Sequence, residues 1–281
     1  MKHIYQQIVV LLNDLESIDT LLEKAMDFAK RHQTVLEIVY VHEEPLFDIP
    51  DYFLSDEDIT NNHIDKEKIK RRIQTHLDNF EIQNKIAILV YIDDTVDRLL
   101  TILKDRKETL IVSSYHKILS PLLIKKTPYS YWFIKNNLNH YKKIILPLDL
   151  HEKSKKSIQI AQHLFTQSHL EILHDYRYLL DVLSVREDYL NVVPLTLDID
   201  LVQNKAIEQE QKNIFESYKN EFNIDGTFME GSRSIGDDLI DYIKKKSYDL
   251  TLLHRQDEVL FLSPSLITLL MKELSTDFFI I

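Results

Sequence analysis

Apolar positions along the chain come in two rhythms. Short, nearly continuous runs at 8–12, 35–41, 86–92, 109–113 and 131–134 have strand length and are rich in β-branched and aromatic residues. Between them, apolar residues recur at helical spacing: Leu21, Leu22, Ala25, Phe28 and Ala29, then Ile69, Ile73 and Leu77, then Val96, Leu99, Leu100 and Leu103. Runs without alternation suit strands covered on both faces, and strands alternating with helices predict βαβ units in a parallel sheet. The order recurs in the second half, with strands predicted at 144–148, 170–173, 223–229, 250–253 and 278–281. Helices are predicted there at about 153–166, 200–221, 235–245 and 265–274.

The halves also match residue by residue. Tyr5, Ile8, Ala25 and Phe28 fall on Tyr141, Ile144, Ala161 and Leu164 without a gap, and Leu119-Ser120-Pro121 returns as Leu262-Ser263-Pro264. Two copies of one unit are the simplest account, with boundaries at 1–138 and 139–281 and a short linker over 136–140. A chain of 281 residues allows each copy its own core. The expected architecture is α/β: two tandem open-twisted parallel five-stranded sheets with helices on both faces. Pro147 belongs at a strand's C-terminal end, where ladder bonds stop and where open α/β sheets receive ligands. Ser120-Pro121 and Ser263-Pro264 predict a helix cap followed by proline at the first helical position. The stretch 175–200 fits no template and predicts a long loop over the sheet edge.

Composition then narrows the function. A formal net charge of -11 argues against a nucleic-acid partner, whose backbone calls for concentrated Lys and Arg. Five basic residues within 66–72 are interrupted by Glu67 on an amphipathic helix and read as a solvated face; Lys244, Lys245 and Lys246 sit where a helix C-terminus favours cations. The absence of cysteine removes disulfides, thiolate catalysis and cysteine zinc sites. No apolar run has the length of a membrane span or a signal-peptide core, so a cytoplasmic protein without membrane association is expected. Twelve histidines show no metallohydrolase spacing, so no metal site is expected. There is no nucleophile elbow, phosphate loop of the Gly-Lys-Ser/Thr type or dinucleotide fingerprint, so no catalytic residue and no enzyme activity is expected.

Certain short motifs point to a family. Lys143 to Asp149, the polar turn 151–154 and a helix holding Ala161 are followed later by Glu230-Gly231, Ile235, Leu239-Ile240, Tyr248-Asp249-Leu250 and a closing Phe278-Phe279-Ile280-Ile281. In this order, and repeated, they resemble the universal stress protein family in its tandem form, which implies an adenine nucleotide α-hydrolase-like, Rossmann-like fold. In nucleotide-binding members of that family an aspartate ends the first strand, and a glycine-rich loop after the fourth strand, closing in Gly-Ser, holds the phosphates. Glycines serve there because bare N–H groups must approach the anion. This chain has three glycines, Gly226, Gly231 and Gly236, none of them in the first half or after Leu253. The first half carries Asn13 where the aspartate belongs. By the resemblance, the positions left to a nucleotide in the second half are Pro147, Asp149, Gly231 and Ser265. Pro264 replaces a glycine there, and Asp257 and Glu258 in the loop would repel a triphosphate. Asp149 also reads as a cap of the following turn or helix, and Ser265 as a helix N-terminal residue.

The leading expectation is therefore a stress-response or regulatory binding protein with a largely lost nucleotide motif, no cofactor and an unknown protein partner. The resemblance implies an internal pseudo-dimer of the two halves through their apolar closing strands, and a further homodimer is open. One alternative keeps ATP or AMP in the C-terminal half at Pro147, Asp149, Gly231 and Ser265. Another is a carrier of a small apolar ligand covered by Tyr176, Tyr178 and Tyr189. A third, an enzyme of the adenine nucleotide α-hydrolase group, lacks the glycine-serine loop it would need after the first strand.

Overall fold

The computed structural model describes residues 4–43, 65–80, 86–106, 108–138, 140–177, 197–231, 234–255 and 264–281. Two compact units divide the chain, Met1–Asn137 and Leu138–Ile281. No described helix is long and apolar enough to cross a membrane.

The first unit runs β1 (Gln7–Leu12), α1 (Ile18–His32), β2 (Val35–His42), α2 (Lys66–Leu77), β3 (Ala87–Ile92), α3 (Thr95–Ile102), β4 (Thr109–Ser114), α4 (Leu119–Lys126) and β5 (Ser130–Ile134). Its strands lie in the order β3-β2-β1-β4-β5, and neighbours pair parallel. The apolar run of β1 is central and buried, and α1 lays Leu21, Leu22, Ala25 and Phe28 on the sheet, with Phe28 against Trp132 at 5.5 Å. Ser120 departs from expectation. The helix begins at Leu119, two residues before the expected start at Pro121, and the Ser120 hydroxyl accepts the His116 N–H at 2.9 Å. It closes the preceding turn and does not cap the helix.

The second unit runs β6 (Lys143–Pro147), α5 (Glu152–Leu164), β7 (His169–Asp175), α6 (Leu197–Phe222), β8 (Asp225–Met229), α7 (Ile235–Lys246), β9 (Leu250–Leu253), α8 (Pro264–Glu273) and β10 (Asp277–Ile280). Its order is β10-β9-β6-β7-β8, again with parallel neighbours. The repeat seen in sequence is a repeat of burial: Ala161 and Leu164 are covered as Ala25 and Phe28 are, and Leu239 and Ile243 as Leu99 and Leu103 are. Pro147 is the last residue of its strand. Part of the loop expected over 175–200 is helix, since α6 begins at Leu197; residues 178–196, and Tyr178 and Tyr189 with them, lie outside the described residues.

Among the described residues four with side chains take left-handed backbone: Gln33 (φ 52°), Leu150 (φ 60°), Asn223 (φ 48°) and Ser247 (φ 55°). No glycine does. Gln33 and Ser247 end α1 and α7 in the manner usually given to glycine. The three glycines therefore serve close approach, not backbone reversal.

A carboxylate within the second sheet ties three elements together. Glu171 of β7 accepts hydroxyls from Thr227 (3.0 Å), Tyr242 (2.6 Å) and Tyr248 (2.5 Å). Burial pushes its pKa up, but the three donors outweigh burial and hold the carboxyl below its usual range. Its stabilisation is thus complete above about pH 4.5 and is lost as pH falls below that. Glu171→Leu, which strands three hydroxyls, should cost ~1–3 kcal/mol in urea unfolding at pH 7. An unchanged midpoint would show that the cluster holds nothing together.

Candidate functional site

In an open parallel sheet, ligands settle beyond the C-terminal strand ends at the point where strand order reverses. That point lies between β1 and β4 in the first unit and between β6 and β9 in the second. In the second unit, β6 ends at Pro147 and the chain turns sharply through Asp149 and the left-handed Leu150. Asp149 Oδ1 accepts the His151 N–H at 3.0 Å and the Ser154 hydroxyl, so the carboxylate fastens its own turn to the start of α5. This is the capping role the sequence also allowed. The Tyr218 hydroxyl, from α6, is shared between the carbonyls of Leu150 and His151 at 3.1 Å each. Burial pushes its phenol up to about 12.

His174 completes this crest. It is buried in β7, and its Nδ1 lies 2.8 Å from the carbonyl of Leu148. A carbonyl only accepts, so Nδ1 carries the proton. Burial dominates over that bond and over Asp175 and Asp149, lowering the pKa to about 4 and keeping the ring neutral near pH 7. Phe215 and Phe228 flank the ring at 6.4 and 5.6 Å.

Gly231, beyond β8, meets a different group. Asp175, fully buried at the end of β7, receives the Arg177 backbone N–H at 3.1 Å and its Nε at 2.9 Å, while Nη2 of Arg177 also reaches Asp238 of α7 at 2.9 Å. Asp175 is the first cause of the raised Arg177 pKa, so the guanidinium stays charged. A methyl on Gly231 would stand 2.1 Å from Arg177 Nη2 and 2.2 Å from Asp238 Oδ2. The glycine lets the β8–α7 loop pass over this ion triad. Of the four positions proposed for a nucleotide, Pro147 and Asp149 share the β6 crest and Gly231 covers the triad. Ser265 is the second residue of α8, its side chain outside the described residues, as are Asp257, Glu258 and Ser263.

The crest of the first unit is cross-linked by its own side chains. Asn13 donates Nδ2 to the Val41 carbonyl at 3.1 Å and lies 2.9 Å from Thr95 Oγ1. An amide can donate across to β2 in this way; a carboxylate in its place could not. The hydroxyls of Ser17 and Ser114 bond each other across the strand-order reversal. In the loop after β4 the Tyr115 N–H bonds the Ile134 carbonyl at 3.0 Å, the His116 N–H bonds Ser120 Oγ, and the Ser120 N–H bonds the His116 carbonyl at 2.9 Å. Among the described residues no group of three or more His, Cys, Asp or Glu is arranged to hold a metal ion.

These two crests belong to a doubly wound α/β fold of the Rossmann type. No family model matches the sequence, and no curated protein matches it. Solved structures do. Over 99% of its length the chain is similar to a functionally unknown protein from Pseudomonas aeruginosa PAO1, at a TM-score of 0.63 and 12% identity, covering 92% of that chain. Over the same share it is similar to a universal stress protein from Archaeoglobus fulgidus DSM 4304, at a TM-score of 0.61 and 12% identity, covering 97% of that chain. The chain has the fold of universal stress proteins, as the motifs implied.

Proposed function

We propose that this chain is a stress-response or regulatory protein of the universal stress type that works by binding a protein partner, without catalysis and without a nucleotide held by its phosphates. The observation that carries this reading is the loop after β4, whose N–H groups at 115, 116 and 120 already bond the protein itself. A phosphate needs such groups unoccupied and facing it. The second unit supports the same reading from charge: Asp149, Asp175 and Asp238 lie at its crest, and the Arg177 guanidinium there is held by two of them. That cation is therefore already engaged by the protein's own carboxylates. A ligand that binds only the folded state raises the melting temperature. ATP, AMP or either with magnesium at millimolar concentration is therefore expected to leave melting unchanged. A concentration-dependent rise of several degrees would restore the nucleotide reading.

A further inference from the structure

We infer that the outer face of α2 docks an acidic segment of a partner protein. Helix α2 buries Ile73 and Leu77 and exposes Lys66, Lys68, Lys70, Arg71 and Arg72. Among the described residues none of these five forms an ion pair. Their position runs against the helix. The N-terminal end of a helix is its positive pole and favours acids; Asp65 caps it through the Glu67 and Lys68 N–H groups, yet five cations fill the first seven positions, with Glu67 the single acid among them. Lys66 faces Lys70, and Lys68 faces Arg72, at the spacing where like charges repel; only Glu67 and Arg71 are matched. The comparable helices carry their cations at the other end. α1 opens with Asp19 and closes with Lys30 and Arg31, and α7 opens with Asp237 and Asp238 and closes with Lys244, Lys245 and Lys246. A locally unfavourable charge pattern, on a chain of net charge -11, is the mark of a site kept for something outside the fold.

The complement is a short anionic segment. A nucleic-acid duplex or an anionic bilayer would also face the acidic remainder of the surface, which repels it. Membrane attachment further needs apolar side chains at the surface. Among the described residues the exposed large hydrophobic side chains, Val35, Ile118, Leu138 and Leu269, all lie off α2. A segment that meets only this helix, about 18 Å long, escapes the distant repulsion through screening beyond about 10 Å.

The test is fluorescence anisotropy of a fluorescein-labelled decaglutamate peptide against the full chain at about 50 mM salt, where screening is weak. Saturable binding is expected, weakened severalfold by salt at about 200 mM. The K68E/R71E/R72E variant should lose affinity by about tenfold or more, whereas K244E/K245E should stay within about twofold. The melting temperature of K68E/R71E/R72E should shift by no more than a few degrees, because all three side chains are exposed, so the loss cannot be assigned to unfolding. No binding of decaglutamate, or equal losses in both variants, would overturn the inference. So would tighter binding of a short DNA duplex or of phosphatidylserine vesicles that the same α2 reversal abolishes.

Discussion

Gly231→Ala is expected to lower the melting temperature of the second unit by about 10 °C, equivalent to ~3 kcal/mol. Alanine's methyl would stand 2.1 Å from Arg177 Nη2 and 2.2 Å from Asp238 Oδ2, so the guanidinium must leave or the loop must lift. Either movement parts a charge from Asp175, which has no exposed surface. Losing one partner of a buried pair costs ~3–5 kcal/mol, and the 17% exposure of the Arg177 side chain places this case at the lower end. Repeating the substitution in an Arg177→Ala background separates the causes. With the guanidinium gone and Asp238 able to turn aside, the alanine should cost ~1 kcal/mol or less, so the two changes couple strongly. Equal costs in both backgrounds would dissociate the glycine from the ion triad.

The second large effect is a pH dependence set by His174. Its folded pKa, about 4, lies below the ordinary value of 6.5. Below pH 6.5 the unfolded chain takes up a proton that the folded chain refuses until about pH 4. Stability contributed by the neutral ring is therefore full above pH 6.5, falls through that window and levels off below it, with a total loss of ~3 kcal/mol. His174→Gln keeps a donor for the Leu148 carbonyl and cannot titrate. Urea midpoints measured at pH 7.5 and 4.5 should converge for the variant relative to the parent. Parallel lines for the two proteins would mean that His174 is not the titrating group. Glu171 acts in the same direction but below about pH 4.5, so the two slopes are separable.

The contrast between what was and was not legible in the sequence has physical causes. Strands such as β1 and β2 show as apolar runs because both faces of a parallel sheet are covered, and α1 shows because its apolar stripe keeps helical period. Internal repetition reinforced each reading. The capping role of Asp149 was also accessible, since Asp bonds the backbone two residues on. The triad of Asp175, Arg177 and Asp238 was not: its second partner lies 61 positions away, and nothing local marks an arginine that folds back onto its own strand end. The engaged N–H groups after β4 were equally hidden, because which carbonyl an amide finds is a property of the fold. Ser120 misled for a related reason. Ser-Pro suits a helix start, but the preceding turn claimed the hydroxyl.

The left-handed turns have a further consequence. A chain that reverses at Gln33, Leu150 and Ser247 without glycine accepts steric discomfort at each corner, while its denatured ensemble explores fewer shapes. Its corners are consequently stiff, and stiffness is what a main chain must shed to mould itself round an oxyanion. Building a phosphate cradle at these corners would therefore call for new glycines; added positive charge alone would meet unyielding backbone there.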